Sequence, residues 1–180
     1  MEIRILSNAE QECIYTDGYE LLAAADNEFV PPLSHRSSST QQNLLEYTKN
    51  SDGIRQYFAA LKKQRFAAAF EEDKLIGFVS YKENYSCPDI PAEECPNIYI
   101  STLIVSPAAR GKGVTTALYK KLFYHYEAVN IFTRTWSTNF AHIKILEKFG
   151  FEVIKVLRND RGSGIDTFYF KKAGKAECDR

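Results

Sequence analysis

Four residues in "SPAARGKGVTTAL" could do chemistry together: Arg110, Gly111, Lys112 and Gly113. They follow a run rich in β-branched residues, "NIYISTLIV", and precede an apolar-periodic stretch that reads as a helix. A glycine turn feeding a helix makes an anion site. The first amides of a helix lack intrahelical acceptors, and the dipole adds partial positive charge there. Glycine lets the backbone approach a ligand closely, while Arg110 and Lys112 supply full charges. A diphosphate suits such a turn. Two nucleotide motifs do not fit it. A Walker loop needs glycine where Ser106 stands, and the dinucleotide fingerprint needs one at Thr116.

The elements that must position this turn can be read along the chain. "EIRIL" (2–6) alternates as an opening strand, and Ser7 or Asn8 caps a helix running to about Asn27. Residues 28–42 form a loop marked by Pro31-Pro32 and the serine run. A second helix is expected from Thr40 or Gln41 to about Lys63, interrupted near 49–53, with Asp52 and Gly53 as turn residues. Residues 65–84 read as a hairpin around the charged turn 71–74. The proline- and acid-rich stretch 85–96 reads as an exposed loop. Strand 97–105 follows, then a helix from about 113 to 127, strand 129–136 and a short helix, 140–149, stopped by Gly150. Strands 151–157 and 166–172 close the order, and 173–180 reads as a flexible tail after a single domain spanning 1–172. This succession predicts an α/β fold with a mixed sheet.

Composition bounds the function. Lys+Arg and Asp+Glu each number 23, so the formal net charge is zero. That removes the basic field expected of a nucleic-acid or membrane-surface binder. Hydrophobic residues at 44% fit a packed core. The cysteines (Cys13, Cys87, Cys95, Cys178) form no C-x-x-C pair, and the three histidines have no metal-ligand spacing. The early apolar run, Leu21 to Ala25, is too short for a signal peptide. Free thiols, no metal and a cytoplasmic location are the expectation.

"LIVSPAARGKGVTTALYKKL" resembles motif A of the GNAT superfamily of acetyl-coenzyme A-dependent N-acetyltransferases, in which Arg or Gln, two residues, Gly, one residue and Gly or Ala follow a strand. "NFAHIKILEKFGF" (139–151) is similar to the family's next motif. The resemblance covers residues 97–153. It implies a mixed, mostly antiparallel sheet of about seven strands flanked by about four helices, with strands 97–105 and 129–136 splayed around the cofactor. It implies acetyl-CoA as cosubstrate. Leu103, Ile104 and Val105 would meet the pantetheine arm; Arg110, Gly111, Lys112, Gly113, Val114, Thr115 and Thr116 the pyrophosphate; and Asn139 would bond the cofactor from the next strand. A backbone amide at Leu103 or Ile104 would stabilise the oxyanion.

The pattern departs from the family where proton transfer is concerned. The usual tyrosine position is Leu146, the usual glutamate position is Ser101, and the last small residue of motif A is Thr115. His142 is the substitute candidate for catalysis, with Tyr99, Tyr85, Glu93, Glu94, Asp160 and Asp166 as further polar groups near the expected acceptor side. The acceptor is read as a small primary amine, met by residues 28–36, the 85–96 loop and the last hairpin. Alternatives stay open: a protein amine, a different acyl chain or hydroxyl acceptor, a non-catalytic acyl-CoA-binding module, and a homodimer.

Overall fold

The computed structural model describes residues 1–46 and 52–175. Seven strands form one sheet: β1 (Glu2–Ile5), β2 (Arg65–Glu71), β3 (Lys74–Glu83), β4 (Asn97–Val105), β5 (Asn130–Trp136), β6 (Glu152–Leu157) and β7 (Thr167–Lys172), in the order β1-β2-β3-β4-β5-β7-β6. β4 and β5 pair parallel, while β1 with β2, β2 with β3, β5 with β7 and β7 with β6 pair antiparallel. The helices are a single turn, α1 (Asn8–Gln11), and four longer ones: α2 (Tyr15–Ala24), α3 (Gly53–Leu61), α4 (Val114–His125) and α5 (Phe140–Lys148). The mixed, mostly antiparallel sheet with four main helices is the expected fold class. Among the described residues no helix is long and apolar enough to cross a membrane.

By internal contacts the chain forms two compact units. The first comprises Met1–Tyr81 and Ser101–Leu122, the second Lys82–Ile100 and the chain from Phe123. In the first, Ser7 caps α1 through a capping box with Glu10. The expected single helix to Asn27 is instead three pieces, with a 3-10 turn at Glu12–Ile14 between α1 and α2 and another at Asp26–Glu28 after them. The β2–β3 turn is a two-residue hairpin whose Glu72 and Asp73 both have positive φ, which matches the twist of the flanking strands. Leu22, Leu33, Tyr57, Leu61, Phe66 and Phe78 are among the side chains that form this unit's core.

Expectations for 40–63 need correction. Residues 40–46 are turns and bends, and the helix begins only at Gly53; residues 47–51 lie outside the described part. Gly53 is therefore a helix residue. A Cβ there would stand 1.8 Å from the Ser34 carbonyl oxygen, so its small size serves a close approach of two backbones.

In the second unit, Ile90, Tyr99, Phe132 and Tyr169 make a small core, with Tyr85, Cys87 and Leu157 packed against it. The 85–96 segment is mostly exposed, as expected, but it is anchored through Tyr85, Cys87 and Ile90. Cys87 and Ile90 form an isolated bridge, and the Asn97 side chain bonds both the amide and the carbonyl of Tyr85 at 3.0 Å. The start of the expected tail is tied down as well. Lys175 donates its amide to Glu127 O at 2.7 Å, and Gly174 donates to Asn130 Oδ1 at 3.2 Å; residues 176–180 lie outside the description. Cys13, Cys87 and Cys95 are free thiols.

Candidate functional site

In the first unit β4 delivers the chain to the glycine turn with one irregularity. The Ser80 and Ser101 hydroxyls face each other at 2.9 Å, whereas the Ser106 amide donates to Ile76 O at 2.8 Å. Four steps along β3 therefore match five along β4, which places a β-bulge in β4 between Ser101 and Ser106. A bulge turns backbone groups out of the ladder and re-aims them. Leu103, Ile104 and Val105 lie in this stretch, with Ile104 buried and the other two half-buried.

Gly77 on β3 lets the bulge sit where it does. A Cβ at Gly77 would lie 2.8 Å from Ile104 O and 3.2 Å from Val105 Cα. Gly77→Ala must push the β4 backbone away. We expect a loss of roughly 1–3 kcal/mol of stability, as for overpacking of a tight core, together with lowered turnover. Denaturant melts and rate measurements on this variant check both effects.

After Ser106 a 3-10 turn, Pro107–Ala109, leads into the glycines, with Ala109 buried as its anchor. Gly111 and Gly113 have φ of +75° and +79°, the left-handed region that side chains other than glycine enter at a cost. A Cβ at either would find no atom within 4 Å. The cradle is open on the side a ligand would take. Val114 is buried and fixes the start of α4, with Leu118, Tyr119 and Leu122 along the same buried face. The first intrahelical bond runs from the Ala117 amide to Gly113 O, so the amides of Val114, Thr115 and Thr116 have no acceptor in the helix. Helix-start amides beside left-handed glycines, with the helix dipole behind them, are groups that can hold an anion such as a diphosphate. Leu103, Ile104 and Val105 end β4, and residues 110–116 form the turn and helix start that follow it.

The two cations of the turn are engaged. Arg110 Nη2 donates to Glu28 Oε1 and Oε2 at 2.9 and 2.8 Å, and Nε donates to Val105 O at 3.2 Å. Lys112 Nζ lies 4.0 Å from Glu71. Ser101 is also committed. Its hydroxyl donates to Gln64 Oε1 at 2.6 Å, and Gln64 Nε2 donates to Ser39 Oγ at 2.7 Å. This clamps β4, just before the bulge, to the residue between α3 and β2. Neither Glu28 nor Gln64 was singled out as a partner of the motif, because no local spacing marks a contact made across dozens of residues.

The remaining candidates lie in the second unit. Asn139 caps α5: its Oδ1 accepts from the His142 amide at 3.4 Å, and Nδ2 donates to Thr135 Oγ1 at 3.0 Å. Burial pushes the His142 imidazole down to about 4, which leaves it neutral at neutral pH. A depressed histidine binds fewer protons folded than unfolded between about pH 4 and 6.5. It thus contributes stability that is fully present above pH 6.5 and lost as pH falls through this window. The ceiling is about 3 kcal/mol, reduced by the partial exposure of His142. The His142→Gln variant should show a flatter stability profile over that window in denaturant titrations. Leu146 is fully buried.

Several acidic candidates prove to be braces. Asp166 accepts from Arg158 at 2.6 Å and from the Asn159 amide at 2.9 Å, and these bonds hold its carboxyl below the usual range. Asp160 accepts from Thr167 at 2.6 Å. Glu94 takes Lys171 at 2.7 and 2.8 Å and Asn130 at 2.8 Å. Tyr85 stacks on Tyr99 with centroids 4.6 Å apart, and burial raises the Tyr85 phenol.

Comparison with known proteins agrees with this geometry. The fold resembles an aminoglycoside 6′-N-acetyltransferase solved with coenzyme A, at 15% identity and a TM-score of 0.68, over 99% of this chain and 100% of that one. It also resembles a ribosomal-protein-alanine N-acetyltransferase from Brucella melitensis, at 15% identity and 0.64, over 96% and 99%. A third likeness is yncA from Salmonella typhimurium with its cofactor acetyl-CoA, at 15% identity and 0.64, over 100% and 97%. No curated protein sequence matches the chain significantly. The family model described as acetyltransferase (GNAT) family matches residues 21–151, a span that holds the bulged strand, the glycine turn and α5. On that match, supported by the fold and the cradle, the chain belongs to the acetyltransferase (GNAT) family.

Proposed function

We propose that this chain transfers an acetyl group from acetyl-CoA to the primary amine of a small molecule, by direct attack within a ternary complex. One observation carries the reading. Two left-handed glycines with open space before them stand between a bulged strand and a helix start whose amides are unsatisfied within the helix. Acetyl-CoA supplies the acetyl group as a thioester, activated for attack by an amine. The chain's part is to hold and orient. The amides of 111–116 take the pyrophosphate, the backbone of Leu103 to Val105 lies along the pantetheine arm, and an amide at Leu103 or Ile104 donates to the carbonyl oxygen. Asn139 bonds the cofactor in this reading through donor capacity left beside its cap. We take residues 1–172 as one catalytic domain in the cytoplasm.

No side chain here is assigned the proton transfers. His142, pushed down to about 4, is far from the range in which a base best accepts a proton from an ammonium at neutral pH. Leu146 has no proton to give, and Ser101 spends its hydroxyl proton on Gln64. Positioning and water then carry the rate. The same two residues favour a second reading, a non-catalytic acyl-CoA-binding module. Thiol release from acetyl-CoA, measured across a panel of small amines, peptides and a no-acceptor control, separates the two. Amine-dependent release establishes the transferase and shows which acceptor class it prefers. Saturable binding with no release on any acceptor establishes the module.

A further inference from the structure

The turn's arginine is held by a carboxylate that the chain itself presents. Arg110 Nη2 contacts both Glu28 oxygens, at 2.9 and 2.8 Å, while Nε stays on Val105 O. Glu28 does not sit on a loose strand of surface. It ends the 3-10 turn Asp26–Glu28, and Asp26 accepts from the Ser34 amide and hydroxyl at 2.7 Å each. Two residues beyond Ser34, the Arg36 guanidinium bonds Pro31 O at 3.0 and 2.6 Å. The 26–36 segment is thus braced upon itself, and its Glu28 forms an ion pair with the arginine of the glycine turn. With Lys112 near Glu71 as well, the four charged side chains around the cradle sum to zero. An anion in the cradle and the Glu28 carboxylate would draw on the same guanidinium.

We propose that Glu28 is an internal competitor for the anionic cofactor: it occupies Arg110 until the cofactor's phosphates draw the guanidinium away, and that exchange frees the Glu28 carboxylate. The inference rests on the cofactor reading above. Because coupling is reciprocal, any acceptor that holds Glu28 away from Arg110 strengthens cofactor binding in turn. Binding of donor and acceptor would then be cooperative, with the Glu28 carboxylate as the linking group.

The test is a calorimetric titration of coenzyme A, with inorganic pyrophosphate as a second probe. It uses the full chain as wild type, Glu28→Gln, Glu71→Gln, Arg110→Gln and the Glu28→Gln/Arg110→Gln double variant, at low salt. The Glu28–Arg110 pair is about half exposed on both sides. Such pairs are worth at most about 1 kcal/mol, so Glu28→Gln should tighten coenzyme A by about two- to five-fold. The gain should vanish in the Arg110→Gln background and be smaller in Glu71→Gln. Unchanged or weakened affinity in Glu28→Gln overturns the proposal. So does an equal gain without Arg110 or in Glu71→Gln, since either result reports a general change in charge. Coenzyme A binding with no gain sinks this inference alone. No binding of either probe by wild type sinks the cofactor reading with it.

Discussion

Replacing Gly113 by Asp abolishes the stabilisation that acetyl-CoA gives the wild-type chain, while the chain still folds. The expectation follows from the backbone at that position. Gly113 has φ +79° and open space where a Cβ would stand. A Cβ there meets no protein atom within 4 Å, so the expected penalty for folding is the left-handed conformation itself, roughly 1–2 kcal/mol. The Asp carboxylate, however, occupies the cradle and places a negative charge beside the helix start that would receive the pyrophosphate. A ligand at a hundredfold excess over its Kd stabilises the native state by about 2.7 kcal/mol. Thermal melts with and without acetyl-CoA should show that increment in wild type and lose it in the variant. If the variant keeps the full shift, the turn is not the cofactor site. If wild type shows no shift, the acetyl-CoA reading fails.

Gly53→Ala should cost the most stability among single-methyl changes, about 3 kcal/mol or more. An added Cβ would stand 1.8 Å from Ser34 O and 2.7 Å from Ser34 C, both backbone atoms. Ser34 has little freedom to retreat, because Asp26 holds it twice and the neighbouring Leu33 is fully buried. Either α3 loses its first turn or the 33–35 turn is displaced. Gly18→Ala serves as the contrast. There the nearest atoms to a new Cβ are the Phe58 ring at 3.7 Å and Phe78 at 3.9 Å, ordinary contact distances, and the position is inside α2. Gaining helix propensity without a clash, this variant should be about 0.5–1 kcal/mol more stable than wild type. Chemical denaturation of the pair tests both signs, and similar midpoints for the two variants would refute the steric account.

Much of the glycine turn was legible in the sequence. A β-branched run, glycines beside cations and a periodic apolar stripe all fall within some thirty residues, where local rules hold. The bounds of β4 and β7, and the order of the elements, follow from the same signals. Errors fell where distant parts meet. Gly53 looked like a turn residue because its role is to let Ser34 approach. The 85–96 stretch is mostly exposed, as its prolines and acids suggest, but the anchoring role of the buried Ile90 was not legible. That Asp160 and Asp166 accept hydrogen bonds within their own hairpin was not legible either.

By itself the sequence determined the glycine turn and the helix start that follows it, since glycine conformations and helix-start amides are properties of neighbouring residues. It also determined the departures at Leu146 and Ser101, which are matters of residue type. Only the tertiary structure decided what those residues touch. Glu28 reaches Arg110 across 82 positions, and Gln64 reaches Ser101 across 37. No periodicity encodes such pairs. They exist because packing the core brings particular backbone segments together, and polar side chains left there must find partners or remain unsatisfied at a cost.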